Sequence, residues 1–315
     1  MAYNSAGENN GSGTARELFE RKAATDVLKY FKETNVAREL VTNESIESGK
    51  SKPFPIVGNA STSSRDESET SELSMDSIKA TERLIVIGDL TTAHSVITDL
   101  DAAMVNYNAK SAHVESIGRA LAKSVDTAII SKVIEAGRIS DQSDATAAGL
   151  KTFSDDKYSS ITPIAGSYDT AMTGEEVQVE MAKAMTEFRD KDCVGQPVYL
   201  LRPQPYFALL NNAAQTGLTW VNDEYAQSGK VPMVLGSRVV YSPHFPAISA
   251  TASAKNSLGV LVAKEAVGIL ELLSVSIKTD YIPLRLVDLM VGKLAVGYGI
   301  LNHGSAISMD FKNAA

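Results

Sequence analysis

Apolar side chains recur at steps of three and four residues between positions 99 and 137, a stretch without proline. This spacing predicts one continuous helix with a single apolar stripe. At a rise of about 1.5 Å per residue the helix would be roughly 55 to 60 Å long, about three times the mean helix. No other segment carries matching heptads, so we interpret the helix as a strut rather than a coiled coil. The stripe runs through Leu100, Met104, Tyr107, Ser111, Val114, Gly118, Leu121, Val125, Ile129 and Val133.

Strand-like runs lie on both sides of a long polar segment that precedes the predicted helix. Val41, the residues around Ile46 and the run 54–57 form the first side, and the run 84–87 forms the second. Between them, residues 60–75 are mainly Ser, Thr, Glu, Asp and Arg, a composition that cannot build a core. We favour a projecting hairpin over a loose loop. Because an isolated pair of strands is barely stable in water, such a hairpin needs the surface of another subunit.

The N-terminal region contains a polar leader and a weakly amphipathic segment. Residues 1–14 are rich in Gly, Asn and Ser, which is typical of disorder, and they lack the apolar run of a secretory signal peptide. Residues 15–39 predict a short helix that is either an ordinary surface helix or an arm packed on a neighbouring subunit. Its loose apolar face consists of Leu18, Val27, Leu28, Tyr30, Phe31 and Val36.

Helix and strand signals alternate through the rest of the chain. Residues 138–173 are rich in turn formers, and residues 174–190 regain helical spacing. From residue 274 an alternating pattern predicts a half-exposed strand, followed by a short helix over 284–294 and a glycine-spaced strand over 295–309. The remaining predicted elements are strands at 198–201, 233–241, 258–263 and 267–273 and a helix at 205–212. Together these elements predict an α+β fold.

The composition is that of a folded chain with an acidic surface. Of the 315 residues, 44% are hydrophobic and 22% charged, and 30 basic against 38 acidic side chains leave a net charge of −8. That sign argues against strong nonspecific capture of nucleic acid, so contact with DNA is expected to be incidental. The single cysteine, Cys193, excludes an internal disulfide and fits a reducing compartment. No run approaches the roughly 18 apolar residues of a membrane span.

Candidate catalytic motifs are incomplete. The sequence GKS at 49–51 resembles the end of a phosphate-binding loop, but Glu44 occupies the position of its first glycine, and the prolines that follow exclude the required helix. Cys193 lies beside Asp192, whose charge opposes thiolate formation. The histidines are scattered without metal-ligand spacing, at His94, His113, His244 and His303. We therefore predict no catalytic residue, no cofactor and no metal site.

Three segments resemble the major capsid proteins of T7-like short-tailed phages. Residues 48–58 (SGKSKPFPIVG) and 78–87 (IKATERLIVI) resemble the strands of their extended loop, and residues 97–107 (ITDLDAAMVNY) resemble the start of their spine helix. Residues 243–246 and 299–306 are weaker matches. The loop tip departs from the family because it is rich in Ser and Glu where the family is more apolar, and residues 138–173 do not align.

The resemblance implies the Hong Kong 97 capsid fold, an α+β architecture with four parts. Residues 1–47 would be the N-terminal arm and residues 48–87 the extended loop. The peripheral domain, which contains the spine helix, would comprise 88–137 and 274–285. The axial domain would comprise 138–273 and 286–315. On this interpretation the polar hairpin lies across a neighbour, and the long helix is the strut of a thin shell plate.

The function implied is self-assembly into pentamers and hexamers of an icosahedral shell that encloses double-stranded DNA. The expected partners are further copies of the chain, a scaffolding protein, a portal protein and, as an addition, a decoration or minor capsid protein, with packaged DNA touched only nonspecifically. Assembly is expected in the host bacterial cytoplasm. The rival functions are an encapsulin-type compartment with the same fold and a soluble α+β enzyme. The residues expected to contact other subunits are Phe31, Arg38, Lys50, Phe54, Arg65, Glu67, Glu69 and Glu72.

Overall fold

The computed structural model describes residues 15–57, 78, 80–104, 109–148, 150, 158–159, 164–165, 173–193, 195–215, 231, 233–249 and 255–312. Within these residues the chain forms two sheets, a separate two-stranded hairpin, and helices that pack on the sheets. The predicted α+β class is confirmed.

Helices and strands alternate along the described chain. The helices are α1 (Ala15–Thr34), α2 (Asp99–Met104), α3 (Ala109–Gly137), α4 (Gln142–Ala147), α5 (Gly174–Asp190) and α6 (Pro203–Gln215), with 3₁₀ turns at Ala37–Leu40 and His303–Ser305. The strands are β1 (Thr42–Ser45), β2 (Ser51–Val57), β3 (Ala80–Val86), β4 (Thr91–Thr98), β5 (Ile164–Ala165), β6 (Val198–Leu201), β7 (Met233–Val234), β8 (Ser237–Tyr241), β9 (Lys255–Val262), β10 (Val267–Ile282), β11 (Val287–Ile300) and β12 (Ala306–Lys312).

A four-stranded sheet is built around the two long strands β10 and β11. These run antiparallel, with β1 parallel beside β10 and β4 antiparallel beside β11. The helix predicted over 284–294 is wrong, because after a short turn these residues belong to β11. Met290 and Leu294 are buried on one face of that strand while Leu289 and Val291 are half-buried on the other. A strand covered on both faces reads as a continuous apolar run, which is why the sequence pattern resembled a short helix.

A six-stranded sheet, in the order β5-β12-β9-β6-β8-β7, carries the second core. The helix predicted over 174–190 is α5, which starts with a capping box between Thr173 and Glu176. The predicted strand over 233–241 is divided into β7 and β8 by a tight turn, where Leu235 and Gly236 have φ values of 51° and 78°. Helices α5 and α6 cover this sheet through Met181, Phe188 and Leu209.

Helix α3 joins the two sheets. Its 29 residues span about 43 Å at 1.5 Å per residue. The predicted stripe is buried from Val114 to Val133. The N-terminal end of the predicted stripe is not buried, because Leu100 and Met104 of α2 are exposed. Whether α2 and α3 form one continuous helix lies outside the described residues, since residues 105–108 are not described.

The domain boundaries expected from the resemblance do not coincide with strand ends. The boundary between residues 273 and 274 falls inside β10. Strand β11, which the resemblance places in the axial domain, pairs with β10 along its length and with β4 over residues 287–294. The long strands therefore connect the two proposed domains mechanically.

Candidate assembly surfaces

Helix α1 packs along α3 of its own chain. Ala23, Val27 and Phe31 are buried, and a Cβ at Gly118 of α3 would lie 3.1 Å from the carbonyl oxygen of Val27. This close approach needs a small residue at 118, since a larger side chain would push the helices apart. Phe31, expected at a subunit contact, thus belongs to the core of its own chain, at 2% exposure.

A buried carboxylate fixes the end of this N-terminal segment to the spine. Asp126 of α3 is fully buried and accepts hydrogen bonds from the backbone N–H of Val36 at 3.0 Å and of Ala37 at 3.1 Å. The Nδ1 atom of His244, from the loop after β8, lies 3.0 Å from the same carboxylate. Burial raises the pKa of Asp126, and the hydrogen bonds from His244 and the two amides oppose that rise. Three segments far apart in sequence meet at this one side chain.

Arg38 and Glu271 form a charged link beside this junction. The Arg38 guanidinium donates to the Glu271 carboxylate of β10 and lies 5.8 Å from the ring centroid of Phe31. Burial raises the pKa of nearby Tyr298 to about 12. Arg38 is therefore engaged within its own subunit, where it ties the 3₁₀ turn to the sheet.

The predicted hairpin is present as β2 and β3, and its inner face packs against glycines of β10 and β11. Phe54 and Ile85 are buried at 6% and 2%. A Cβ at Gly268 would lie 2.8 Å from Ile85 Cδ1, and one at Gly299 would lie 2.7 Å from Ile85 Cγ1. At Gly297 a Cβ would lie 2.6 Å from the carbonyl oxygen of Val86. The base of the hairpin therefore docks on β10 and β11 of its own chain, and Phe54 anchors it there.

The opposite face of the hairpin base is exposed and largely apolar. Pro53 lies opposite Leu84 across the ladder, and Val57 lies opposite Ala80. Leu84 is 61% exposed and Val57 is 64% exposed. Lys50 is exposed at the start of the hairpin, beside Gly49 with φ 105°. Among the described residues nothing covers this exposed apolar face, which is therefore a candidate contact surface.

Four of the expected contact residues, Arg65, Glu67, Glu69 and Glu72, lie outside the described residues. In the sequence they lie between β2 and β3. Their part in subunit contacts stays a prediction.

Several groups considered for catalysis have structural surroundings in the described part of the chain. Strand β2, not a helix, follows Gly49. Burial raises the pKa of the Cys193 thiol, which opposes formation of the nucleophilic thiolate. His113 is hydrogen-bonded to Ser95, and His303 stacks on Tyr158 with ring centroids 5.4 Å apart. Among the described ranges no group of three or more His, Cys, Asp and Glu could hold a metal ion, and no described helix could span a membrane.

An open groove of about 590 Å³ lies at the C-terminal end of α3. Two of the cations that line it, Arg138 and Arg202, are engaged by the chain itself. Arg138 contacts Asp310 at 2.7 Å, and Arg202 donates to the carbonyl oxygens of Ser257 and Pro246, each at 2.6 Å. The groove therefore serves as a packing joint between the spine and the six-stranded sheet.

Sequence reasoning missed two features of these surfaces. Strand β4 was not predicted, although five of its eight residues are the β-branched types Thr, Val and Ile that favour strands. The turn between β10 and β11 was hidden inside the wrongly predicted helix. At this turn Leu284 is 97% exposed and Leu286 has φ 49°.

The long helix, the two joined sheets and the hairpin form an architecture that this chain shares with solved capsid and particle structures. The match to the solved capsid structure of the cyanophage P-SCSP1u covers 100% of this chain and 100% of the capsid chain. The TM-score is 0.67 and the sequence identity is 24%. A virus-like particle from Pyrococcus furiosus also shares the fold, with a TM-score of 0.56 at 11% identity over 92% of this chain and 99% of the other. Fold similarity alone does not distinguish a phage shell from other shells.

Sequence similarity makes that distinction. The family model described as Gp10A-like major capsid protein matches residues 54–310. The major capsid protein of Escherichia phage T7 is 24% identical over 335 residues, covering 97% of this chain and 96% of the relative. The chain belongs to the Gp10A-like major capsid protein family. This membership confirms the resemblance and favours the phage shell over an encapsulin-type compartment.

Proposed function

We propose that copies of this chain associate into pentamers and hexamers that close an icosahedral shell around phage double-stranded DNA. The observation that carries the proposal is the two-sided hairpin. Its inner face is locked on its own sheet by Phe54 and Ile85, while its outer face leaves Leu84 mostly exposed. A rigidly held apolar projection is suited to bind a neighbouring subunit.

In this proposal the extended loop, residues 48–87, lies across a neighbour, and the axial domain forms the contacts within each pentamer or hexamer. The arm, residues 1–47, adds a further contact. Each contact is small, but every subunit repeats it, so that the stability of the shell is collective. Helix α3 and the long strands transmit load between the two ends of the subunit because they are continuous rigid elements.

The proposed partners follow from the same assembly. A scaffolding protein would direct closure, a portal protein would replace one vertex, and a decoration or minor capsid protein would bind the finished shell. The net charge of −8 favours weak, nonspecific contact with packaged DNA. We propose a purely structural role without enzymatic activity, with assembly in the host bacterial cytoplasm.

Electron microscopy with size-exclusion chromatography tests the proposal directly. The full chain is expressed alone and together with its co-encoded scaffolding protein. Uniform polyhedral shells, or rings that convert to shells, are the expected products. A stable monomer or dimer under both conditions would overturn self-assembly.

Charge reversal at Arg65, Glu67 and Glu69 tests the loop tip. If the tip contacts a neighbour, the triple variant forms fewer or less stable shells while the subunit folds normally by circular dichroism. Reversal of Glu175, an exposed residue on α5, is the matched control. Normal shells from the triple variant would argue against an interfacial tip.

A further inference from the structure

Helices α1 and α3 lie side by side against the four-stranded sheet and run in the same direction. Val27 of α1 lies against Gly118 of α3, and the backbone that follows α1 donates hydrogen bonds to Asp126, farther along α3. Because both contacts advance toward the C-terminus of each helix, the two helices are parallel. Lys32 lies five residues after Val27 and Lys123 lies five residues after Gly118, so these lysines are level with each other.

The outward surface of the two helices carries cations that the chain leaves without a counterion. Lys22, Lys32 and Lys123 are exposed, and none of them has a salt bridge or hydrogen bond within the part of the chain that the structure describes. Lys29 and Arg119 are also exposed, at 66% and 62% of their side chains, although each has a carboxylate neighbour on its own helix. A locally basic surface therefore lies on a chain whose net charge is −8.

This surface lacks the apolar centre of a typical protein interface. Among the described side chains of α1 and α3, the largest exposed apolar one is Leu28, at 39%. Asp26, which is half-buried, is the one described carboxylate there without a basic partner. Protein interfaces have an apolar core, whereas surfaces that contact nucleic acid are more polar and strongly positive. The surface thus favours a phosphate backbone over a protein. The exposed positions of α3 around Lys123 are small: Ala112, Ser116, Ala120 and Ser124.

We propose that the outward surface of α1 and α3 contacts the phosphate backbone of double-stranded DNA through Lys22, Lys32 and Lys123. This inference rests on the proposed function, in which the shell encloses DNA, and it names the face of the subunit that meets the DNA. Lys22 and Lys32 are ten residues apart, which is about 15 Å along α1 and matches the length of about four phosphates on one strand.

The contact is weak for one subunit and independent of DNA sequence. Lysines that bind phosphates position DNA without reading its bases. Three such contacts give little affinity at physiological salt, which suits DNA that has to move while it is packaged. The many subunits of a shell repeat the contact, so that their sum holds the enclosed DNA.

The double variant Lys32→Ala, Lys123→Ala tests the proposal, and Lys278→Ala, Lys293→Ala is the matched control. Both variants remove two lysines and change the net charge equally. The control lysines lie on the opposite face of the sheet. Gly292, next to Lys293, packs against α3 and lies opposite the residue before Lys278 in the ladder. Side chains alternate between the two faces of a sheet, so both control lysines point away from α3.

The affinity of the unassembled full-length chain for a labelled DNA duplex of mixed sequence is measured by fluorescence anisotropy at several salt concentrations. We expect the plot of log affinity against log salt to be less steep by about 1.8 for Lys32→Ala, Lys123→Ala, since each lost phosphate contact removes about 0.9. The affinity at low salt should fall at least about tenfold. The control should stay within about threefold of wild type, because salt screens its lysines from DNA on the other face.

Equal losses in the two double variants would overturn the proposal, since net charge alone would then explain the binding. Unchanged affinity of Lys32→Ala, Lys123→Ala would overturn it as well. The variant Lys32→Arg, Lys123→Arg keeps both charges and should bind DNA as wild type does. If Lys32→Ala, Lys123→Ala has a lower Tm than wild type, Lys22→Ala, Lys32→Ala, which is confined to α1, decides by the same criteria.

Shell formation is scored separately by electron microscopy after expression with the scaffolding protein. We expect Lys32→Ala, Lys123→Ala to form shells at wild-type yield in spite of its weaker DNA binding. Poor assembly together with unchanged DNA affinity would assign the surface to a protein partner and overturn the proposal. Absence of shells from the wild-type chain would contradict the proposed function instead, and the anisotropy measurement would still test the DNA contact.

Discussion

Replacement of Asp126 by alanine should weaken the attachment of the N-terminal segment to the spine. The change removes the acceptor for the backbone N–H groups of Val36 and Ala37 and the partner of His244. Ala37 is 1% exposed, so water cannot readily replace the lost partner there, whereas Val36 is half-buried. The replacement also removes a buried charge, which partly offsets the loss.

The magnitude follows from these contacts. An unsatisfied buried donor costs about 1 to 3 kcal/mol, so we expect Asp126→Ala to lower the free energy of unfolding by about 1 to 3 kcal/mol, with the other losses balanced by the removed charge. With an unfolding entropy of about 2.1 cal/mol/K per residue, a chain of 315 residues should show a Tm lower by about 1.5 to 4.5 °C.

Denaturant unfolding of the unassembled subunit measures the total effect, and hydrogen exchange locates it. Amides of α1 should lose protection before those of α3. Lys123→Ala, an exposed change on the same helix, is the control and should cost less than about 0.5 kcal/mol. An unfolding free energy for Asp126→Ala equal to that control would refute the assigned role of the carboxylate.

Three further predictions concern single residues. Gly137→Ala should destabilise the subunit by about 1 to 3 kcal/mol, because the new Cβ would clash with the amide nitrogen of Ser308. Gly88→Ala is the control, since nothing lies within 4 Å of a Cβ there. Equal Tm values for the two variants would contradict the expected clash. Burial raises the folded-state pKa of Asp126 above its ordinary value of 3.8. The associated stability is therefore fully present below pH 3.8 and is lost as the pH rises through the folded pKa. The unfolding free energy of wild type minus that of Asp126→Asn should be larger at pH 3.5 than at pH 7. A smaller difference at pH 3.5 than at pH 7 would contradict a raised folded-state pKa for Asp126. Cys193, whose thiol pKa is raised by burial, should react with iodoacetamide at least about tenfold more slowly in the folded chain than in denaturant, and equal rates would show that the thiol is accessible.

Local patterns determined much of the fold. The buried part of α3 between Val114 and Val133, helix α5 and strand β6 follow from apolar spacing, because one-sided burial imposes a period on the sequence. The hairpin followed from two apolar runs around a polar segment. The segments that resemble a known capsid family also supplied the function, which the family match confirms.

The tertiary structure decided what periodicity cannot encode. The run over 284–294 became a strand because sheet partners lie on both sides of it, and no local preference for a helix outweighs those ladder hydrogen bonds. Asp126 acquired its role only because residues 36, 37 and 244 come together around it. The prolines at 53 and 55 read in the sequence as helix breakers alone. Only the strand register shows that they occupy positions facing away from β3, because the direction of a backbone N–H is fixed by pairing and not by residue type.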